Sequence, residues 1–144
     1  MLCPMEMNMK RRDLLVGAGL ALATAAVTRA EAAPPAAKSS SGLTAAAESC
    51  VRASHACLRH CLDMLATGNA TMAVCAKAVS DLIPTSHALT ALAASGSPHT
   101  AALAAVVAQV AKACKVECDK HLAMGPCKAC ADSCAALIAE VGKA

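Results

Sequence analysis

The stretch that decides the fold is residues 49–64, S-C-V-R-A-S-H-A-C-L-R-H-C-L-D-M, in which Cys50, Cys57 and Cys61 are seven and four residues apart. Because an α-helix turns about 100° per residue, these steps place the three sulfur atoms on one stripe of a helix. Such a stripe normally carries leucine or isoleucine and packs into the core. The spacing therefore predicts a helix that directs its thiols inward.

Six further cysteines follow a similar pattern. Most of them are three or four residues from the next, so each set fits one face of a helix. The first set is Cys114 and Cys118, the second is Cys127, Cys130 and Cys134, and Cys75 stands alone. We expect these thiols to meet those of the first helix in one shared core that binds a thiophilic metal.

Glycine-containing breaks divide the sequence after residue 43 into four helical segments, and none of them alternates in the way of a strand. The predicted helices span residues 43–66, 70–94, 98–121 and 126–141. Pro84 lies inside the second and should kink or interrupt it, since proline lacks an N–H and clashes with the preceding turn. Four helices with short connections predict an all-α fold, an antiparallel up-down-up-down four-helix bundle.

In this topology the first and third connections lie at the same end of the bundle, which we call the sulfur-rich end. Met64 and Met72 each lie three residues from a cysteine and should point inward there. His121 falls on a cysteine stripe, His60 lies one residue off another, and Met124 is in the third connection. The methionines are either ligands or core filler, and the histidines are either ligands or solvated residues near helix ends.

The composition excludes several classes of function. The chain has 144 residues, no aromatic residue and a formal net charge of +3, which is too weak a charge, with too few stacking side chains, for nucleic-acid binding. No pairing of a nucleophile with a base stands out. We therefore predict a protein that is not an enzyme.

The first 32 residues have the pattern of an export signal. A basic start at residues 10–12 precedes an apolar run over residues 14–28, and Ala30-Glu31-Ala32 fits a cleavage site. The string R-R-D-L-L resembles a twin-arginine signal, so we expect an exported, periplasmic protein, with an ordinary secretory signal or an uncleaved anchor as the alternatives. Residues 33–42 read as a flexible linker and residues 43–144 as the bundle.

Three explanations of the cysteines remain open. They are small buried hydrophobes, a disulfide framework that staples a helical interaction module, or metal ligands. Two cysteine pairs from neighbouring helices could bind one zinc ion, but that leaves most of the thiols without a role. Soft thiolates and thioethers favour Cu(I), and a monovalent ion for each thiolate keeps the core nearly neutral. We prefer a store of several Cu(I) ions, about one for each cysteine.

Three motifs, C-L-R-H-C-L-D-M-L-A at residues 57–66, A-C-K-V-E-C-D-K at 113–120 and C-K-A-C-A-D-S-C at 127–134, resemble the exported copper storage proteins of methane-oxidising bacteria. The resemblance implies a tetrameric four-helix bundle that holds Cu(I) for copper enzymes such as the particulate methane monooxygenase. It assigns as ligands the nine cysteines named above together with His60, Met64 and Met72. Ser86, Ala111 and Val141 stand where the stripes of the family often continue with cysteine, which implies a lower capacity.

Overall fold

The computed structural model describes the backbone of residues 37–143 and the side chains of residues 41–143, so the predicted export signal lies outside the described residues. The described elements are α1 (Ala37–Ala66), a 3₁₀ turn (Ala70–Met72), α2 (Ala73–Ala94), α3 (Thr100–Asp119) and α4 (Gly125–Val141). The prediction of an all-α four-helix fold is confirmed, and residues 37–143 contain no strand. None of the described helices is long and apolar enough to cross a membrane.

The first helix begins at Ala37 rather than at residue 43, so residues 37–42 of the expected linker are helical. The Ser-Ser-Ser-Gly run has a low intrinsic helix propensity, but tertiary packing overrides propensity when the next turns are buried. Leu43 and Ala47 are 2% and 0% exposed and provide that packing. Gly42 lies beside the end of α4, where a Cβ would be 2.8 Å from Oε2 of Glu140, the tip of a flexible side chain.

The second helix is continuous through Pro84, so the predicted interruption is absent. Pro84 is on the exposed side of α2, while Leu82 and Ser86 beside it are buried in the core. The hydroxyl of Thr85 donates to the carbonyl oxygens of Asp81 and Leu82 at 3.1 and 2.9 Å. These bonds do not replace the bond that proline removes, which would run to the carbonyl oxygen four residues earlier, so burial of the opposite face is what holds the helix together.

The breaks between helices occur where the sequence predicts them. Gly68 and Gly96 have positive φ angles of 88° and 64°, which glycine adopts without steric cost. The side chain of Asn69 accepts a hydrogen bond from the N–H of Thr71 and caps the 3₁₀ turn. Ser97 likewise accepts from the N–H of His99 before α3 begins.

Each helix packs against two neighbours, so that α1 contacts α2 and α4 while α3 contacts the same two helices. Side-chain contacts show the directions of the neighbours. Along α1, Ser54 and then Cys57 meet Cys130 and then Cys127 of α4, so the residue numbers rise on one helix as they fall on the other. This is the order of contacts that two helices running in opposite directions make.

The core has two chemically different regions. Thiols fill the part near the 3₁₀ turn and the start of α4, where Met72 is fully buried as well. Aliphatic side chains fill the other part, among them Leu43, Leu82, Leu89 and Leu137. Since no aromatic ring occupies the core, small side chains let the four helices pack closely around the thiols.

Candidate metal centre

All nine of the described cysteines are free thiols, and none is more than 1% exposed. They come from all four helices, with Cys50, Cys57 and Cys61 on α1, Cys75 on α2, Cys114 and Cys118 on α3, and Cys127, Cys130 and Cys134 on α4. The structure therefore brings the whole predicted set of thiols into the interior. Helical spacing alone positions them, because steps of three, four and seven residues keep each set on the inner face of its helix.

The sulfur atoms lie close enough together to share metal ions. The Sγ atom of Cys57 is 4.0 Å from that of Cys61, 4.0 Å from that of Cys118 and 3.8 Å from that of Cys127. The Sγ atoms of Cys75 and Cys118 are 3.7 Å apart. Four sulfur ligands at about 2.3 Å around one ion would themselves be about 3.8 Å apart. The thiols are thus already near coordination spacing.

Three groups of thiols have their sulfur atoms within 4.8 Å of one another. The groups are Cys57, Cys61, Cys75 and Cys127; Cys57, Cys118 and Cys130; and Cys114, Cys130 and Cys134. Cys57 and Cys130 each belong to two groups, so the three groups join eight of the thiols into one continuous cluster. Cys50 lies at its edge, where Cys134 influences its pKa. We call these nine thiols the thiol core.

Hydrogen bonds within the thiol core separate the pKa values of its members. Bonds from Cys118 hold the pKa of Cys75 well below the usual thiol range, and a bond from Cys134 lowers the pKa of Cys50 to about 7. Burial raises the pKa of Cys61 to about 12 and also raises that of Cys127. A thiolate is stabilised where neighbours donate to it, whereas a thiol that is only desolvated keeps its proton. The metal-free cluster is therefore mostly neutral.

The remaining predicted ligands lie at the sulfur-rich end, although they differ in exposure. Met72 is fully buried, while His60 and Met64 are half-buried at the edge of the core. Nε2 of His60 lies 3.1 Å from Sδ of Met124, across from α1 to the turn before α4. His121 is half-buried, and its charge contributes to the lowered pKa of Cys75. These side chains place imidazole and thioether donors beside the outermost thiols.

Sequence reasoning missed Ser54, and it identified Ser86 only as a position where related stripes continue with cysteine. Ser54 is 0% exposed, and its Oγ lies 3.8 Å from Sγ of Cys130. It stands four residues after Cys50 and three before Cys57, so the same stripe rule could have identified it. Ser86 is also 0% exposed, and its hydroxyl has no hydrogen-bond partner. The contact between His60 and Met124 was missed as well, because it joins residues that are far apart in sequence.

The arrangement suits soft, polynuclear metal binding. Thiolates select Cu(I) and zinc, and shared thiolates can bridge several Cu(I) ions. A single tetrahedral zinc ion would use the group of four around Cys57 and leave the other two groups unused.

A sequence profile of the copper storage proteins matches residues 36–143. The chain belongs to the copper storage protein family. No curated protein matches it at a significant level. Membership identifies copper as the metal that the thiol core is suited to hold and agrees with a storage protein rather than an enzyme.

Proposed function

We propose that the protein stores or sequesters several Cu(I) ions, bound by the thiolates of its nine core cysteines, and has no catalytic activity of its own. The observation that carries this proposal is the continuity of the thiol core, in which Cys57 and Cys130 link three groups of sulfur atoms. An isolated metal site does not need shared ligands. A chain of shared thiols is what bridged Cu(I) ions require.

Charge balance sets the expected number of Cu(I) ions. Nine buried thiolates without counter-ions would be prohibitively costly to desolvate, since each isolated ion in the interior costs several kcal/mol or more. One monovalent ion for each thiolate gives a neutral core, and the proton that leaves each neutral thiol carries away the matching charge. A divalent ion would balance the thiolates at half that ratio, so the stoichiometry distinguishes the two kinds of metal. The expected capacity is about one Cu(I) for each core cysteine.

We expect copper to enter the bundle at its sulfur-rich end. His60, Met64, Met72 and Met124 supply an imidazole and three thioethers at this end, with Met64 and Met124 packed against the core. Thioethers bind Cu(I) without losing a proton, and we expect this set to pass the ion to the thiols. We assign His60, Met64 and Met72 as ligands of the outermost ions. Met124 extends this set through its contact with His60.

The biological setting follows from the sequence and from the resemblance. We propose that the twin-arginine-like leader exports the protein to the periplasm, already folded. There it would buffer copper or supply a copper enzyme such as the particulate methane monooxygenase, as a tetramer. A folded bundle hides its thiols, which protects them from an oxidising compartment.

The test is an anaerobic titration of the reduced protein with Cu(I) against a competing chelator, with Zn(II) in a parallel sample. Tight uptake of several ions, near one for each cysteine, is the expected result. Saturation at one ion, or stronger retention of Zn(II), would overturn the storage proposal. The second outcome would favour a zinc site at the group of four around Cys57.

A further inference from the structure

Two histidines form a pair on the surface of the bundle, away from the thiol core. His55 of α1 and His87 of α2 are both exposed, and their ring centroids lie 5.9 Å apart with an angle of 61° between the ring planes. Each follows a fully buried serine in the sequence, Ser54 on α1 and Ser86 on α2. Since each imidazole follows a buried residue, both lie beside the inner faces of neighbouring helices and close enough for their rings to contact.

The separation of the rings fits a shared metal ion. An imidazole nitrogen binds a transition metal at about 2.0–2.1 Å, which puts the ion about 3.2 Å from the ring centroid. Two rings on one ion therefore have centroids about 4.5 Å apart at a right angle and about 6.4 Å apart when they are opposite. The observed 5.9 Å lies within this range. Small rotations of two exposed side chains can therefore bring both rings onto one ion.

The imidazoles of this pair prefer a different class of metal ion from the one that the thiolates of the core prefer. Neutral imidazole suits Cu(II), Ni(II) and Zn(II), and among these Cu(II) binds most tightly to a given site of this kind. Thiolates instead select Cu(I). The described groups of three or more metal-ligating side chains contain neither histidine, so the pair is separate from the thiol core.

The surroundings leave room for the other ligands of the ion. An open depression of about 400 Å³ begins at His55 and is lined by Leu58, Arg59, Leu62 and Asp63. Water or a small chelating molecule can complete the coordination from that side. Arg59 and Asp63 bring one charge of each sign to this depression, so a metal complex without net charge meets no net repulsion there.

We propose that His55 and His87 form a surface site for a divalent, imidazole-preferring transition metal, with Cu(II) carried by a small anionic chelator as the favoured ligand. The site is independent of copper storage in the core. Copper in its two oxidation states would then bind to different parts of the same bundle. The assignment requires both imidazoles, because either one alone offers the ion a single ligand.

The probe is Cu(II) iminodiacetate, a neutral complex whose remaining coordination positions accept two imidazoles. It is titrated anaerobically into the protein and followed by electron paramagnetic resonance, and thiols are counted before and after. We expect one complex for each chain, a spectrum with two coordinated imidazole nitrogens, and an unchanged thiol count. His55→Ala and His87→Ala should each weaken binding at least tenfold.

The matched control is His99→Ala, which removes a single exposed histidine just before α3. Its affinity should equal that of the unaltered protein. Circular dichroism establishes that all three variants are folded, as expected for exposed residues. Binding that survives in either His55→Ala or His87→Ala, a spectrum with one coordinated nitrogen, or loss of thiols in step with the added copper would overturn the proposal.

Discussion

Replacing Cys57 with alanine should reduce copper capacity more than replacing Cys50. The Sγ atom of Cys57 lies within 4.0 Å of those of Cys61, Cys118 and Cys127, and Cys57 belongs to two of the three thiol groups. Cys50 belongs to none of these groups and reaches the cluster at its edge, through Cys134. The two substitutions are identical chemically, so a difference between them reports position within the cluster.

The magnitude follows from the number of bridges that are lost. If each Cu(I) takes two thiolates and each thiolate bridges two ions, the core holds about nine ions. Losing Cys57, whose Sγ atom has three sulfur neighbours within 4.0 Å, removes both of the ions that it bridges, so we expect a loss of about two ions. Losing Cys50 should remove about one. Each truncation in the metal-free core costs about 1 kcal/mol of stability, which leaves the bundle folded.

Capacity is measured by anaerobic titration of each reduced variant against a chromophoric Cu(I) chelator, followed by desalting and metal analysis. Circular dichroism of the metal-free variants controls for folding. Equal losses in Cys57→Ala and Cys50→Ala would show that the thiols act as independent sites, which would refute the continuous core. Unchanged copper capacity in both variants would show that the core thiols do not bind copper.

Three further predictions use other parts of the structure. Ser54→Cys should add about one Cu(I) ion to the capacity, because Oγ of Ser54 already lies 3.8 Å from Sγ of Cys130, whereas the control Ser54→Ala should add none. Metal analysis of the loaded variants measures the capacity, and no gain in Ser54→Cys would mean that the added sulfur does not bind copper. His60→Ala should slow the first phase of Cu(I) uptake in stopped-flow measurements without changing the final capacity. An unchanged rate would contradict a role of His60 in copper entry at the sulfur-rich end. The metal-free protein should lose stability to urea as the pH rises from about 9 to 12. Burial raises the pKa of Cys61 to about 12, whereas an unfolded thiol ionises near 8.5, so in this window the folded protein keeps a proton that the unfolded chain has lost. The free energy of unfolding should fall by at most about 1.4 kcal/mol per pH unit for each thiol that keeps its proton. A rise in stability over that window would refute the buried neutral thiol.

The sequence predicts the helices well because its breaks use residues with a specific conformational role. Gly68 and Gly96 both adopt the positive φ that ends a helix, so their positions are readable without any tertiary information. The start of α1 was misplaced because Leu43 and Ala47 stabilise a first turn that its own residues disfavour. Continuity at Pro84 likewise depends on burial of the opposite face of α2, where Leu82 and Ser86 lie in the core, which a local rule does not include.

Some features of the candidate site are likewise predictable from the sequence, and others depend on how the helices pack. Helical spacing places each cysteine on an inner face, so burial of all nine was predictable. Which thiols meet was not predictable, because the contact of Cys57 with Cys127 depends on the relative height and rotation of α1 and α4. The pairing of His60 with Met124 has the same origin. Local pattern thus fixes which side chains are available, and helix packing fixes how they combine.

Folding and metal binding make opposite demands on the thiol core, and the protonated thiol reconciles them. A metal-free bundle must bury nine sulfur atoms, which is favourable only if most are neutral, as the raised pKa values of Cys61 and Cys127 indicate. Cu(I) binding needs thiolates, but an ion that replaces the proton of a neutral thiol leaves the charge at that site unchanged. We therefore expect the neutral thiols to exchange protons for Cu(I) at little electrostatic cost. Ser54 is the exception on the stripe of α1, since its hydroxyl keeps its proton and its Oγ, 3.8 Å from Sγ of Cys130, offers no thiolate to Cu(I). If the protein stores Cu(I) as proposed, we expect the number of thiols on the stripes, rather than the size of the core, to set its capacity.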